Sequence, residues 1–146
     1  MNYKSEIEEL IVNTSAMTNK PLILNQDFYV IHQPLNHKPL RLPNGKMAVY
    51  TFVYNNEFLK IGQVYKNSNA RYQSQHYNIK SARSTLARSL IQDNTMTTIV
   101  NTDNIAQWIK AHCERFDVII DDKYGKYTLN FIEGLLHHHF RPRYEG

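Results

Sequence analysis

A single cysteine, Cys113, stands among the 146 residues, which excludes an internal disulfide framework and any cysteine-rich zinc knuckle. No apolar run approaches the ~20 residues needed to cross a bilayer. The opening MNYKSEIEELIV is charged and periodic and lacks the apolar stretch of a secretory signal. Together these absences predict a cytoplasmic protein with no membrane partner. Four of the five prolines are confined to residues 19–45, so that segment cannot form a long helix. Residues 58–92 contain no Asp or Glu at all.

What is present suits one domain with one core, since hydrophobic residues make up 42% of the chain. The formal net charge is +4, but its distribution is more informative. The acid-free window holds six basic residues, Lys60, Lys66, Arg71, Lys80, Arg83 and Arg88, which leaves the remainder of the chain at −2. Tyr65, Tyr72, His76 and Tyr77 are interleaved there with Asn, Gln and Ser. Phosphate backbones attract such a surface. A solvated basic face on an ordinary domain fits composition equally well.

Apolar spacing predicts a helix over residues 4–17, with Ile7, Leu10 and Ile11 on one face. Residues 19–45 read as extended with short edge strands, either wrapping the core or reaching DNA. Residues 48–54 and 57–64 are β-rich runs around Asn55-Asn56, a hairpin signal. Helices are predicted from near Asn69, over 81–91 with Ile79, Ala82, Leu86 and Leu90 at helical spacing, and after a cap at Asp103 or Asn104. Residues 116–120 read as a buried strand and 127–140 as a last helix. The predicted class is α+β, a small mixed or antiparallel sheet with a β-hairpin, flanked by helices. Residues 1–47 form a helix and arm packed on the same domain, and 48–146 the core.

Glu133 lies in LNFIEGLLHHHF with Leu129, Leu136 and Phe140 on its own side of the helix. A carboxylate in an apolar stripe costs free energy unless it is paired or holds a cation. A boundary acid paired with Lys126 or His137 satisfies that requirement, and so does a metal ligand.

The run AVYTFVYNNEFLKIGQVYKNSNAR resembles the opening of the GIY-YIG endonuclease domain. Ala48-Val49-Tyr50 matches the first motif and Lys60-Ile61-Gly62 the second. Arg71 falls where the family's helix arginine stands, and Glu133 follows a strand where the family has its metal-binding glutamate. The resemblance covers roughly residues 48–146. It departs at Ala48, at Lys60 where most members have tyrosine, and at the tail, which lacks the frequent asparagine. Restriction-type members are similar in tolerating the lysine.

The resemblance implies a metal-dependent DNA endonuclease, with catalytic Tyr50, Lys60, Arg71, His76 and Glu133 and with Tyr65 as a secondary candidate. Tyr50 would be the general base, made more acidic by Lys60; Arg71 would clamp a phosphate oxygen; Glu133 would hold one Mg²⁺ or Mn²⁺. Lys66, Lys80, Arg83, Arg88, Arg141 and Arg143 are candidate DNA contacts. A type II restriction enzyme acting as a homodimer on double-stranded DNA is the leading expectation. A structure-specific repair or mobile-element nuclease and an inactive DNA-binding module are the alternatives. His76 and Tyr65 also fit plain phosphate contact or packing. Consecutive helical residues point about 100° apart, so His137, His138 and His139 cannot share one metal. Cys113 reads as a small core residue.

The scheme carries a geometric requirement. Side chains alternate faces along a strand, and a simple two-residue Asn55-Asn56 loop would put Tyr50 and Lys60 on opposite faces. A three-residue loop, setting Tyr50 opposite Lys60, or an equivalent bulge is therefore expected.

Overall fold

A computed structural model describes residues 2–66, 68–80 and 85–144. Its elements are α1 (Tyr3–Ser15), β1 (Phe28–Gln33), β2 (Lys46–Tyr54), β3 (Glu57–Val64), α2 (Asn69–Gln73), α3 (Leu86–Gln92), α4 (Ile105–His112), β4 (Arg115–Asp121) and α5 (Gly125–Phe140). The four strands form one sheet in the order β1-β4-β2-β3, and every pairing is antiparallel. With five α-helices among the described residues, this is the α+β class that the sequence predicts.

Helix α1 starts where the Asn2 side chain accepts the Ser5 amide, and it buries Tyr3, Ile7 and Ile11. It ends at Ser15, two residues earlier than expected, because the Ser15 hydroxyl turns the chain by accepting the Leu22 amide at 2.9 Å. Strand β1 pairs only with β4, so it is an edge, followed at once by Pro34. Beyond it the arm lies against the helices: the His37 amide donates to the Lys110 carbonyl at 3.0 Å, and the Leu42 amide to Asn69 Oδ1 at 2.7 Å.

The sheet is covered on both faces. Helices α1 and α5 pack over Met47, Val49, Phe58, Ile61, Phe116 and Val118. The segment from α2 to α4 packs over Ala48, Tyr50, Phe52, Val64 and Ile119, and Cys113 is buried there as expected. Leu86, Leu90, Ile105 and Ile109 supply the apolar side of that layer.

Helix α3 differs from expectation. The predicted span began at residue 81, but residues 81–84 lie outside the described ones, and Thr85 is extended with its hydroxyl accepting the Arg88 amide. A threonine cap starts the helix at Leu86, so Ile79 is not part of it. Among the described residues no helix is long and apolar enough to cross a membrane.

Candidate active site

The β2–β3 hairpin sets the geometry. Asn55 and Asn56 both have positive φ, at 52° and 61°, a conformation that asparagine tolerates and that matches the twist of a tight two-residue turn. Tyr54 therefore pairs with Glu57 and Val53 with Phe58. The register then shifts, so that Phe52 pairs with Lys60 and Tyr50 with Gly62. This bulge leaves Leu59 as the extra residue and brings Tyr50, Phe52, Lys60 and Gly62 onto one face. The required common face is present. The direct opposition of Tyr50 and Lys60 is not, because the loop has two residues rather than three and the shift arrives at the bulge.

Gly62 makes room for Tyr50. A β-carbon at Gly62 would lie 2.5 Å from Tyr50 Cζ and closer still to the hydroxyl oxygen. The phenol thus lies across β3 at the one position that has no side chain. Tyr50 is 2% exposed, Lys60 5% and His76 0%, so these three form the floor of the site. Arg71 on α2 and Glu133 on α5 are half-buried at its rim.

Burial raises the pKa of the Tyr50 hydroxyl. Arg71 opposes this through its charge and a hydrogen bond to the hydroxyl, and the Glu133 charge reinforces it. Arg71, rather than the expected Lys60, is therefore the principal cation acting on the phenol. The His76 ring packs 4.6 Å from the Tyr50 ring, and its Nδ1 accepts the Leu86 amide at 3.0 Å. That bond assigns the proton to Nε2. Burial, followed by the charges of Arg71, Arg115 and Lys60, pushes the His76 pKa down to about 2, so the ring is neutral. With no exposed surface, His76 supports Tyr50 from behind rather than meeting solvent water.

Glu133 reaches this region from the far face of the sheet, around the β3 edge. Gln63 Nε2 donates to Glu133 Oε1 at 3.0 Å and to Asn130 Oδ1 at 2.9 Å. One turn on, His137 Nε2 donates to the Ile61 carbonyl at 2.8 Å and lies 3.9 Å from Glu133 Oε2. Contacts to residues 61 and 63 hold Glu133 level with Gly62, where the Tyr50 hydroxyl crosses. Among the described residues no group of three or more His, Cys, Asp or Glu side chains could hold a metal ion.

Lys66, Lys80 and Arg141 are exposed, and Lys66 and Lys126 both bring their ammonium groups over the half-buried Tyr65 ring, at 5.5 and 5.6 Å. Arg141, Arg88 and the exposed Arg143 also make local contacts, Arg141 donating Nε to the His138 carbonyl at 2.9 Å. Arg88 is half-buried and points Nη2 at the Ile79 carbonyl, while Arg143 pairs with Asp93 at 3.6 Å and donates to Thr95 at 3.1 Å. Arg83 lies outside the described residues.

Sequence reasoning passed over Arg115 and Asp117, both fully buried and paired at 3.2 Å. The signal was available: an aspartate inside the apolar strand FDVII needs a partner, and an arginine two residues earlier shares its face. Gln63, which bonds Glu133, and Asn130, which accepts from Gln63, carry no comparable signal.

In comparisons with known proteins, no family model matches this chain, and no curated protein or solved structure matches it either.

Proposed function

We propose that this chain is a metal-dependent DNA endonuclease of the GIY-YIG type, on the restriction branch, acting as a homodimer on double-stranded DNA. The observation that carries the reading is the meeting of Tyr50, Arg71, His76 and Lys60 on one sheet face with Glu133 at the same level of the β3 edge.

Hydrolysis of a phosphodiester adds a water oxygen to phosphorus and leaves a proton on the departing 3′ oxygen. Arg71, half-exposed beside the buried phenol, suits a non-bridging phosphate oxygen through its planar fork. Tyr50 accepts the water's proton, and Arg71 lowers the cost of the phenolate that burial raises. The neutral His76 ring packs on the Tyr50 ring, and the Lys60 charge adds positive potential for the phosphate. Glu133, 24% exposed, is the hard oxygen donor for one Mg²⁺ or Mn²⁺, steadied by the Gln63 amide, which also donates to Asn130. A single carboxylate among cations fits such an ion when phosphate oxygens complete its shell. When bound, that ion supplies Lewis-acid stabilisation of the charge developing on the phosphate.

The test is nicking of supercoiled plasmid in Mg²⁺ or Mn²⁺ by the wild type and by Arg71→Ala. The reading expects metal-dependent cleavage that falls by about 100-fold or more in the variant. Equal cleavage by both proteins, or none by either, overturns it. The raised pKa of Tyr50 favours one competing reading, an inactive DNA-binding module, which predicts tight binding and no product at any pH.

A further inference from the structure

Three of the proposed site residues share an unexpected property: the next residue in the chain is bonded to one buried ion pair. After Tyr50 comes Thr51, whose amide donates to Asp117 Oδ1 at 3.1 Å. After Arg71 comes Tyr72, whose hydroxyl donates to Asp117 Oδ2 at 2.9 Å and whose carbonyl accepts from Arg115 Nη1 at 3.1 Å. After His76 comes Tyr77, whose hydroxyl oxygen accepts from Arg115 Nη1 at 3.1 Å. We infer that the Arg115–Asp117 pair is the positioning element that sets Tyr50, Arg71 and His76 relative to one another. The inference rests on the proposed nuclease reading for its function, though not for its geometry.

The pair is placed for this role. Arg115 and Asp117 alternate along β4 onto the face shared with Tyr50, and β4 is an interior strand. The β2–β4 ladder runs through Val49 opposite Val118 and resumes only at the Val53–Glu114 bridge. Between these, the Thr51 hydroxyl donates to the Phe116 carbonyl and accepts the Phe116 amide, while Asp117 takes the Thr51 amide. Side chains thus replace backbone pairing beside Tyr50. The Arg115 guanidinium also stacks on the Phe52 and Tyr72 rings, at 4.6 and 4.8 Å.

The remaining bonds brace the pair. Gln33 Nε2 on β1 donates to Asp117 Oδ2 at 2.9 Å. His37 Nε2 lies 2.6 Å from the Tyr77 hydroxyl, whose proton is free to point at it because Arg115 donates to the oxygen. A buried ion pair is a weak source of stability, but a buried network whose lone pairs are filled rigidifies the groups bonded to it. Here they are used by the neighbours of the site residues. Helix α2 has only five residues and the segment after it a single 3-10 turn, so neither holds its own orientation.

The test uses Tyr72→Phe and Tyr77→Phe, which remove one hydroxyl each and keep the rings. Single-turnover DNA cleavage and DNA affinity are measured below the melting transition, alongside ¹⁵N spectra of the His76 ring and ¹³C spectra of the Tyr50 ring. The expected result is a cleavage rate lower by about 10- to 100-fold with DNA affinity changed less than about threefold, and shifted His76 and Tyr50 signals. Wild-type rates and unshifted signals in folded variants overturn the inference, as does an equal loss of rate and affinity without shifted signals. If the wild type itself does not cut DNA, the nuclease reading falls, and the ring signals alone decide whether the pair positions these residues.

Discussion

The Tyr50 hydroxyl lies across the strand at Gly62, in space that any other residue's β-carbon would occupy. The two positions are cross-strand partners, so the glycine is required by the tyrosine rather than by the backbone. The second motif's glycine and the first motif's tyrosine are therefore one structural unit.

Gly62→Ala should destabilise the fold by about 1–3 kcal/mol, because the clash is with a ring packed on His76 and cannot be relieved by a flexible tip. Tyr50→Phe should not rescue it, since Cζ is also too close. Tyr50→Ala should, leaving the double variant no less stable than Tyr50→Ala alone. Urea denaturation of the wild type, Gly62→Ala, Tyr50→Ala and their double variant checks this as a double-mutant cycle, with the Tyr50→Phe pair run beside it.

Acid should destabilise the protein through His76. Its folded pKa is lowered to about 2, whereas the unfolded histidine titrates near the ordinary 6.5. Between those values the unfolded state binds the extra proton, so stability is fully present above about pH 6.5 and is lost as pH falls below it. The slope is at most about 1.4 kcal/mol per pH unit for one proton. His37, also shifted down, mainly by burial, adds to it in the same direction. His76→Gln should flatten the curve without abolishing it, as thermal unfolding across pH 4–8 would show on the order of that slope.

The cleavage rate should climb with pH through neutrality and beyond, because burial raises the pKa of the group that must lose a proton, the Tyr50 phenol. Tyr50→Phe should lose both most of the rate and this dependence. Arg71→Ala should push the rise to still higher pH, since the charge favouring phenolate is gone. Single-turnover rates across a pH series separate these outcomes.

Cys113 is fully buried, and burial pushes its thiol up to about 12. It should resist thiol reagents in the native protein and react only on unfolding. Rapid native labelling would contradict the burial.

The hairpin was legible because β-rich runs flank an Asn-Asn turn, but its register was not. Strand β2 is buried on both faces over seven of its nine residues, so polar and apolar positions do not alternate and no period-2 signal marks which side chains face the core. The bulge was reached only through the chemistry demanded of Tyr50 and Lys60. Glu133 was legible as an acid in an apolar stripe, yet its partner Gln63 comes from a strand 70 residues away. The partners of the exposed tail arginine Arg143, Asp93 and Glu57, are likewise remote in sequence. The opening arm read as extended from its prolines, whereas its place as β1 against β4 depends on pairings across more than 80 residues.

The central claim is that Glu133 and the Tyr50–Arg71 pair form one metal-dependent phosphodiesterase site. The most direct measurement is digestion of mixed plasmid and phage DNA with Mg²⁺ or Mn²⁺ by the wild type and by Glu133→Ala, with DNA binding followed in parallel. Discrete fragments are expected from the wild type, none from the variant, and DNA binding by both. Cleavage that survives in Glu133→Ala, or tight binding with no cleavage by the wild type, would contradict it.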